Sequence, residues 1–439
     1  RLARQGRVPT VVVGCYATAE ADPLRRLPGV VAVLGHDRDI CSELRRVALH
    51  RQGLSALPFD DTPTRDRPAE ARDTRVGDHP CENTVSLSAR GRGRSRGTHL
   101  PTIVSISGST GRINDEVPVD RTIRAFAAHQ RAFLKVQDGC DASCTYCIIP
   151  RLRPRLHSKS IAAAAAEARA LVRAGHREIV ITGIYLGAYG RPTAVRRRFR
   201  GAGSPLADLV EVVARVPGLK RLRLSSLEPG DVDARLLTTL RQHDCCVPHL
   251  HLPLQAGSPD VLRRMNRQYT AGEFLEMITR VKEALDRPAI TTDVVVGFPG
   301  ETESDFRQTL DVARQAGFCK IHAFPFSPRP GTAAARWVDW FVPPAVVKER
   351  MERLAAVERE TARSFRREFL GCTERVIVEE SRPAGTGRTT INPLLHGRTD
   401  RYFEVHFEGP GLAAGDLARV RIDQVTSDRV RGTVIERLG

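Results

Sequence analysis

The sequence predicts an α/β protein: a parallel sheet curled into a partial (β/α)6 barrel, preceded by part of another α/β domain and followed by a small all-β barrel. Three observations carry this prediction. From Phe133 onward, apolar strand patterns alternate six times with amphipathic helical ones. A cysteine-rich loop directly follows the first of these strands, at the end where such folds place functional groups. From Cys372 the pattern changes to short β-rich runs broken by Gly and Pro turns.

Four segments follow in order. Residues 1–52 carry two buried-strand patterns, Val8–Gly14 and Gly29–Gly35, and a helical one from Asp39 to Leu49. Residues 53–122 are rich in Pro, Gly, Ser, Thr and charge, and include the Arg-Gly run of 87–97. Such a segment buries too little apolar surface to offset its ordering entropy, so it reads as a linker or insertion. Residues 123–370 hold the barrel. Its strands are expected at Phe133–Val136, Glu178–Thr182, Arg221–Ser225, His249–Leu254, Thr291–Val296 and Lys320–Phe326. The intervening helices are expected at Ser160–Ala174, Pro205–Val216, Asp231–Gln242, Ala271–Leu285 and Glu303–Ala316, with a further one near Pro343–Phe369. Residues 371–439 form the β-rich tail, with strands at Glu374–Glu380, Arg401–Phe407, Leu417–Ile422 and Arg429–Ile435.

The 439 residues carry a net charge of +17, which favours a polyanionic partner. Between Arg131 and Arg200 fourteen Lys/Arg face four Asp/Glu, whereas the tail from Thr373 has ten of each. RNA is therefore expected near the cysteine loop, at Arg151, Arg153, Arg155, Arg196, Arg197, Arg198 and Arg200, with Tyr402 and Phe403 of the neutral tail as stacking candidates. No apolar run reaches membrane-spanning length and no signal peptide is visible. Ten cysteines without a secretory signal fit a reducing, cytoplasmic setting.

Cys140, Cys144 and Cys147 are spaced Cys-x3-Cys-x2-Cys. Three thiolates at that spacing suit one face of a [4Fe–4S] cube and leave its fourth iron open to a small molecule. A zinc site with His157 as fourth ligand, or three buried thiols without a ligand, remain as alternatives. Polar or glycine residues end several strands: Thr182-Gly183, Ser225-Ser226 with Glu228, Gln255, and Gly297 with Gly300. Glu228 suits an ammonium group, Ser225 or Ser226 a ribose hydroxyl, and the glycines a close approach by adenine.

These motifs together bring a family into view. In order they are Gly-Cys-Tyr-Ala at residues 14–17, the cysteine triad ending Cys-Ile-Ile-Pro, Thr-Gly-Ile-Tyr-Leu-Gly, Leu-Ser-Ser-Leu-Glu-Pro, His-Leu-Pro-Leu-Gln-Ala-Gly-Ser, Val-Gly-Phe-Pro-Gly-Glu-Thr and Phe-Pro-Phe-Ser-Pro-Arg-Pro-Gly-Thr. The chain resembles the radical S-adenosylmethionine (SAM) methylthiotransferases, nearest to the MtaB-type branch that acts on N6-threonylcarbamoyladenosine beside the tRNA anticodon. The resemblance implies an amino-terminal methylthiotransferase domain, a radical SAM barrel and a TRAM β-barrel. Implied cofactors are SAM and two [4Fe–4S] clusters, and implied partners are tRNA, an electron donor such as flavodoxin or ferredoxin, and a sulfur source. SAM would be held by Tyr146, Thr182, Gly183, Ser226, Glu228, Gln255, Gly297 and Gly300, with Tyr146 beside the adenine. Alternatives are another tRNA adenosine, a ribosomal-protein aspartate as in a sister branch, or a catalytically incomplete RNA-binding fragment. Two departures stand out. Of the three cysteines the family uses for the second cluster only Cys15 is matched, Cys41 and Cys81 being poor replacements, so one cluster is fully liganded here. Where the family shows Arg-Gly-x-x-Arg-Ser, this chain has Arg153-Pro154-Arg155-Leu156-His157-Ser158, and Pro154 fixes the backbone where glycine is free.

Overall fold

The computed structural model describes residues 131–198, 203–381, 394–427 and 429–438, together with three strands further upstream. The chain divides into two units, Arg1–Val117 and Pro118–Gly439. In the first, β1 (Thr10–Gly14) lies between β2 (Val30–Leu34) and β3 (Thr102–Ile106) in an all-parallel sheet. β1 and β2 fall where the apolar runs place them. β3 lies within the 53–122 segment read as a linker or insertion: Thr-Ile-Val-Ser-Ile is largely β-branched, and it pairs with β1 residue by residue from Thr10↔Thr102 to Gly14↔Ile106. The expected helix at 39–49, the Arg-Gly run, Cys15, Cys41 and Cys81 lie outside the described residues.

In the second unit β4 (Arg131–Asp138), β6 (Glu178–Gly183) and β7 (Arg221–Leu224) are parallel, with the short β5 (His157–Ser158) antiparallel at the β4 edge. β8 (His249–His251), β9 (Ala289–Val296) and β10 (Lys320–Pro325) form a second parallel set. Parallel bridges Leu222↔Cys246 and Ser226↔His251 join the two sets into a curved run of six parallel strands. Its helices are α1 (Ile161–Arg173), α2 (Pro205–Ala214), α3 (Ala234–Gln242), α4 (Pro259–Arg264), α5 (Ala271–Ala284), α6 (Glu303–Ala316) and α7 (Pro344–Arg367). Five lie close to their expected spans, α7 matches the further helix, and the short α4 was not anticipated. Alternation along β4 fixes the two faces of the sheet. Ala132, Leu134 and Val136 are fully buried in the main core, while Phe133 on the other face is 44% exposed. Capping boxes at Thr270 and Thr302 start α5 and α6, and Gly317, at φ +67°, ends α6.

The tail closes into a five-stranded barrel ordered β11 (Thr373–Ser381), β12 (Leu394–Thr399), β13 (Glu404–Glu408), β15 (Val430–Leu438) and β14 (Leu417–Val425). It docks against the starts of β6, β7 and β8. Arg221, fully buried, donates to the carbonyls of Arg398 (3.0 Å) and Thr399 (2.7 Å) and pairs with Glu178 (3.2 Å) and Asp400 (3.0 Å). Arg223 pairs with Glu178 at 3.0 Å. His249 stacks on Tyr402 with ring centroids 4.5 Å apart.

Burial alone would push the Glu178 carboxyl up, but Arg221 and Arg223 outweigh it and hold the group down at about 2. A depressed folded pKa gives stability that is present above the unfolded value and lost as pH falls from ~4.3 towards the folded value. Glu178→Gln is therefore expected to lower stability at pH 7 by about 3 kcal/mol and to flatten the acid limb below ~pH 4.5. Denaturant titrations across pH measure both effects, and an unchanged acid limb would contradict the pairing.

Candidate metal centre at the barrel mouth

The cysteine loop leaves β4 through a fixed geometry. Asp138 accepts from the Gly139 amide (2.9 Å) and is clamped by Lys135 and Arg153, each at 2.7 Å. Gly139 adopts φ +77°, and a Cβ there would lie 1.7 Å from the Arg155 carbonyl oxygen, so only glycine fits. The Cys140 amide donates to the Arg153 carbonyl at 3.0 Å and closes the loop on itself. Gln137, fully buried, donates to the Asp138 and Gly139 carbonyls (2.9 and 2.8 Å) and accepts from the Tyr185 amide (2.8 Å). Across the mouth, Asn266 donates to the Ser143 carbonyl (2.8 Å), and Thr145 donates through its hydroxyl to Arg264 (2.7 Å) and through its amide to Met265 (3.1 Å). Asp141 accepts from Thr193 and from the Ala194 amide, both at 2.6 Å.

The donor set, three thiols in one loop, suits an iron–sulfur cluster. Burial pushes the Cys140 thiol up to about 12, and the neighbouring Cys144 and Cys147 add to the rise. Burial also raises Cys144, against the pull of Arg267, whose guanidinium stands 3.3 Å from its sulfur. Three mutually repelling thiols in one loop suit a positively charged iron core that draws off their protons. His157 lies on β5, in backbone register with Asp138.

Beside the thiols lies a buried charged network that only partly follows the sequence reading. Glu228, at the end of β7, bonds Arg267 closely and also Arg196 at 3.2 Å; the Tyr185 hydroxyl donates to it at 3.3 Å. Asp231 pairs with Arg196 at 3.4 Å and Arg191 at 3.7 Å. Arg267 reaches the Tyr146 hydroxyl at 3.3 Å and lies over the Tyr269 ring at 5.0 Å. Sequence reasoning missed Arg267, Asp231, Tyr185 and Gln137. Arg267 sits three residues beyond the Arg263-Arg264 pair, in a run that reads as an ordinary solvated basic face.

Thr182, Gly183, Ser226 and Gln255 all lie at the carboxyl ends of the strands, and Tyr146 lies within the loop, edge-on to Phe298 at 6.3 Å. A Cβ on Gly297 would lie 2.5 Å from Val347 of α7, and one on Gly300 3.3 Å from Trp340, so protein occupies the side-chain direction of both glycines.

Several RNA assignments also change. Arg153 turns in to Asp138, and Arg196 to Glu228 and Asp231, because unpaired buried carboxylates would be far costlier than exposed arginines. Phe403 is 5% exposed and packs against Phe365 and Phe369. Tyr402 is held by His249 on a docking surface, with Arg223 and Arg398 over its ring. Arg151, Arg155, Arg197 and Arg198 are exposed, the last two beside Ser143 and Asn266, while Arg200 lies outside the described residues.

Comparison with known proteins extends this picture. Residues 134–313 match the Radical SAM superfamily. The chain is 39% identical over 316 residues to the threonylcarbamoyladenosine tRNA methylthiotransferase MtaB of Chlamydia pneumoniae, covering 71% of this chain and 70% of that protein. Its identity to the MtaB of Bacillus subtilis is 37%, covering 72% and 68%. Identity to the tRNA-2-methylthio-N(6)-dimethylallyladenosine synthase of Acetivibrio thermocellus is 34%, covering 76% and 66%. The chain thus spans about two thirds of the length of these relatives. Among solved structures, coproporphyrinogen III oxidase of Escherichia coli superposes with a TM-score of 0.39 at 13% identity, covering 55% of each chain.

Alanine at Cys140, Cys144 or Cys147 is expected to abolish iron retention after anaerobic reconstitution, whereas serine at Cys245, Cys319 or Cys372 is not. Iron and sulfide assays decide between these outcomes, and zinc in place of iron would contradict the donor-set argument.

Proposed function

We propose that this chain, which belongs to the radical SAM methylthiotransferase family, methylthiolates an adenosine of tRNA, and that its substrate is N6-threonylcarbamoyladenosine beside the anticodon. What carries the reading is the three-thiol loop open to the mouth of a barrel within a family of tRNA methylthiotransferases. Relatives named for threonylcarbamoyladenosine match at 36–39% identity and those named for dimethylallyladenosine at 34–38%, so the choice of substrate rests on the motifs at Asp293–Thr302 and Ile321–Thr332. When bound, a [4Fe–4S] cluster with SAM supplies one-electron reductive cleavage of SAM, the source of a radical able to take hydrogen from an inert adenine C–H bond.

The chain's own residues prepare that chemistry. Cys140, Cys144 and Cys147 would hold the cluster through their thiolates. Arg267 places a positive charge beside Cys144 and favours its thiolate form. Glu228 offers a carboxylate to an ammonium group at the edge of the same site, once its present arginine partners share it. Tyr146 and Phe298 wall the site with apolar ring surface and exclude water. Thr182, Ser226 and Gln255 supply polar groups around the rim. An acidic one-electron carrier of the flavodoxin or ferredoxin type would supply the electron, and a separate sulfur source the sulfur; Cys15 would contribute to a second cluster. Arg151, Arg155, Arg197 and Arg198 would meet the phosphates.

The substrate is tested by nucleoside mass spectrometry of tRNA from a strain lacking the gene. Loss of 2-methylthio-N6-threonylcarbamoyladenosine is the expected result, and loss of the dimethylallyl form instead would move the chain to the other branch.

A further inference from the structure

The segment leaving β10 at the barrel mouth carries the largest exposed aromatic and apolar side chains near the site. Trp340 is 57% exposed and Val338 60%. Trp340 is not a loose side chain: its carbonyl accepts from the Gly300 amide at 2.7 Å, and its ring edge fills the space beside Gly300. Trp337 stands behind it at 6.2 Å, followed by Phe298 at 6.0 Å and Tyr146 of the cysteine loop at a further 6.3 Å. The segment is tied to that loop at two points, with the Ala334 amide donating to the Thr145 carbonyl (2.9 Å) and Arg151 donating to the Gly331 carbonyl (2.8 Å). Cations surround it. Arg329, Arg336 and Arg151 are exposed, and Arg264 donates to the Gly300 carbonyl at 3.1 Å, against Asp339 as the acid within the segment.

A backbone-anchored aromatic ring, more than half exposed, set among arginines and linked by packing to the cofactor loop, matches what an unpaired nucleobase requires. From these features we infer that Trp340 is a stacking platform for an unpaired base of the tRNA anticodon loop, flanking the base delivered to the mouth. Arg336 and Arg151 steer the adjoining phosphates. The inference rests on the tRNA reading above and goes beyond it by locating the contact. It also replaces Tyr402 and Phe403, whose rings are committed to docking and to the tail core. Adenine-edge chemistry needs the loop unstacked, and a tryptophan beside the opening can take the stacking that the extruded base's neighbour loses.

The chain has two tryptophans, so Trp337→Phe leaves Trp340 as its sole tryptophan reporter. In reconstituted protein, an anticodon stem-loop RNA should quench that fluorescence, and a fully paired duplex of equal length should not. Trp340→Ala should weaken stem-loop binding roughly tenfold or more, and Trp340→Phe should recover most of it. The salt slope should stay as in the parent protein, since no phosphate contact is removed. If Trp340→Ala binds the stem-loop as tightly as the parent, the platform is wrong while the tRNA reading stands. If the parent binds no tRNA at all, that reading fails as well. If acrylamide cannot reach Trp340 in the RNA-free chain, another part of the protein or a second copy covers it, and the inference is overturned.

Discussion

The mouth of the barrel depends on one buried guanidinium. Arg267 contacts a sulfur of the cysteine loop, the Tyr146 hydroxyl, the Tyr269 ring and the Glu228 carboxylate. These partners come from the cysteine loop, the segment after β7 and the turn after α4. Removing a charge of this size from water costs several kcal/mol unless partners surround it, so the chain must bring all four to one point. That requirement fixes the loop after β4, the end of β7 and the turn after α4 relative to one another. The same charge lies beside Cys144 and works against the rise that burial imposes on its thiol, which links the packing of the mouth to its capacity to bind iron.

The opposite end of the barrel has its own buried charges with a different task. Arg221 and Arg223 share Glu178 and reach the β12–β13 turn of the tail, where Tyr402 stacks on His249. Charged groups at strand starts would be a liability in an open barrel. Here the carbonyls of Arg398 and Thr399 and the Asp400 carboxylate satisfy them, and the tail becomes a fixed part of the same unit. The two ends thus divide the work: one seats a domain, the other gathers the reactive groups.

How legible this was depended on the range of the interactions. The six strand–helix units follow from local periodicity, and the cysteine triad from a spacing of eight residues, so both were readable in the sequence. β12 was missed because Leu-Leu-His-Gly-Arg-Thr lacks clean alternation. Its Gly397 is required by a contact visible only in the fold, since a Cβ there would lie 2.4 Å from the Ile377 carbonyl oxygen. The arginines divided for the same reason. A count of charge locates a basic surface but cannot tell that Arg153 finds Asp138, or Arg196 finds Glu228 and Asp231 across more than thirty residues. Gly297 and Gly300 were rightly singled out as special backbone positions, at φ +76° and +75°, but α7 and Trp340 use the room they leave.

The most direct measurement is electron paramagnetic resonance of the reduced, reconstituted chain with and without SAM. An open iron held by Cys140, Cys144 and Cys147 predicts a reduced [4Fe–4S] signal that shifts when SAM binds, and no such shift in a Cys144→Ala variant. A signal indifferent to SAM, or a colourless zinc-loaded protein, would contradict the account.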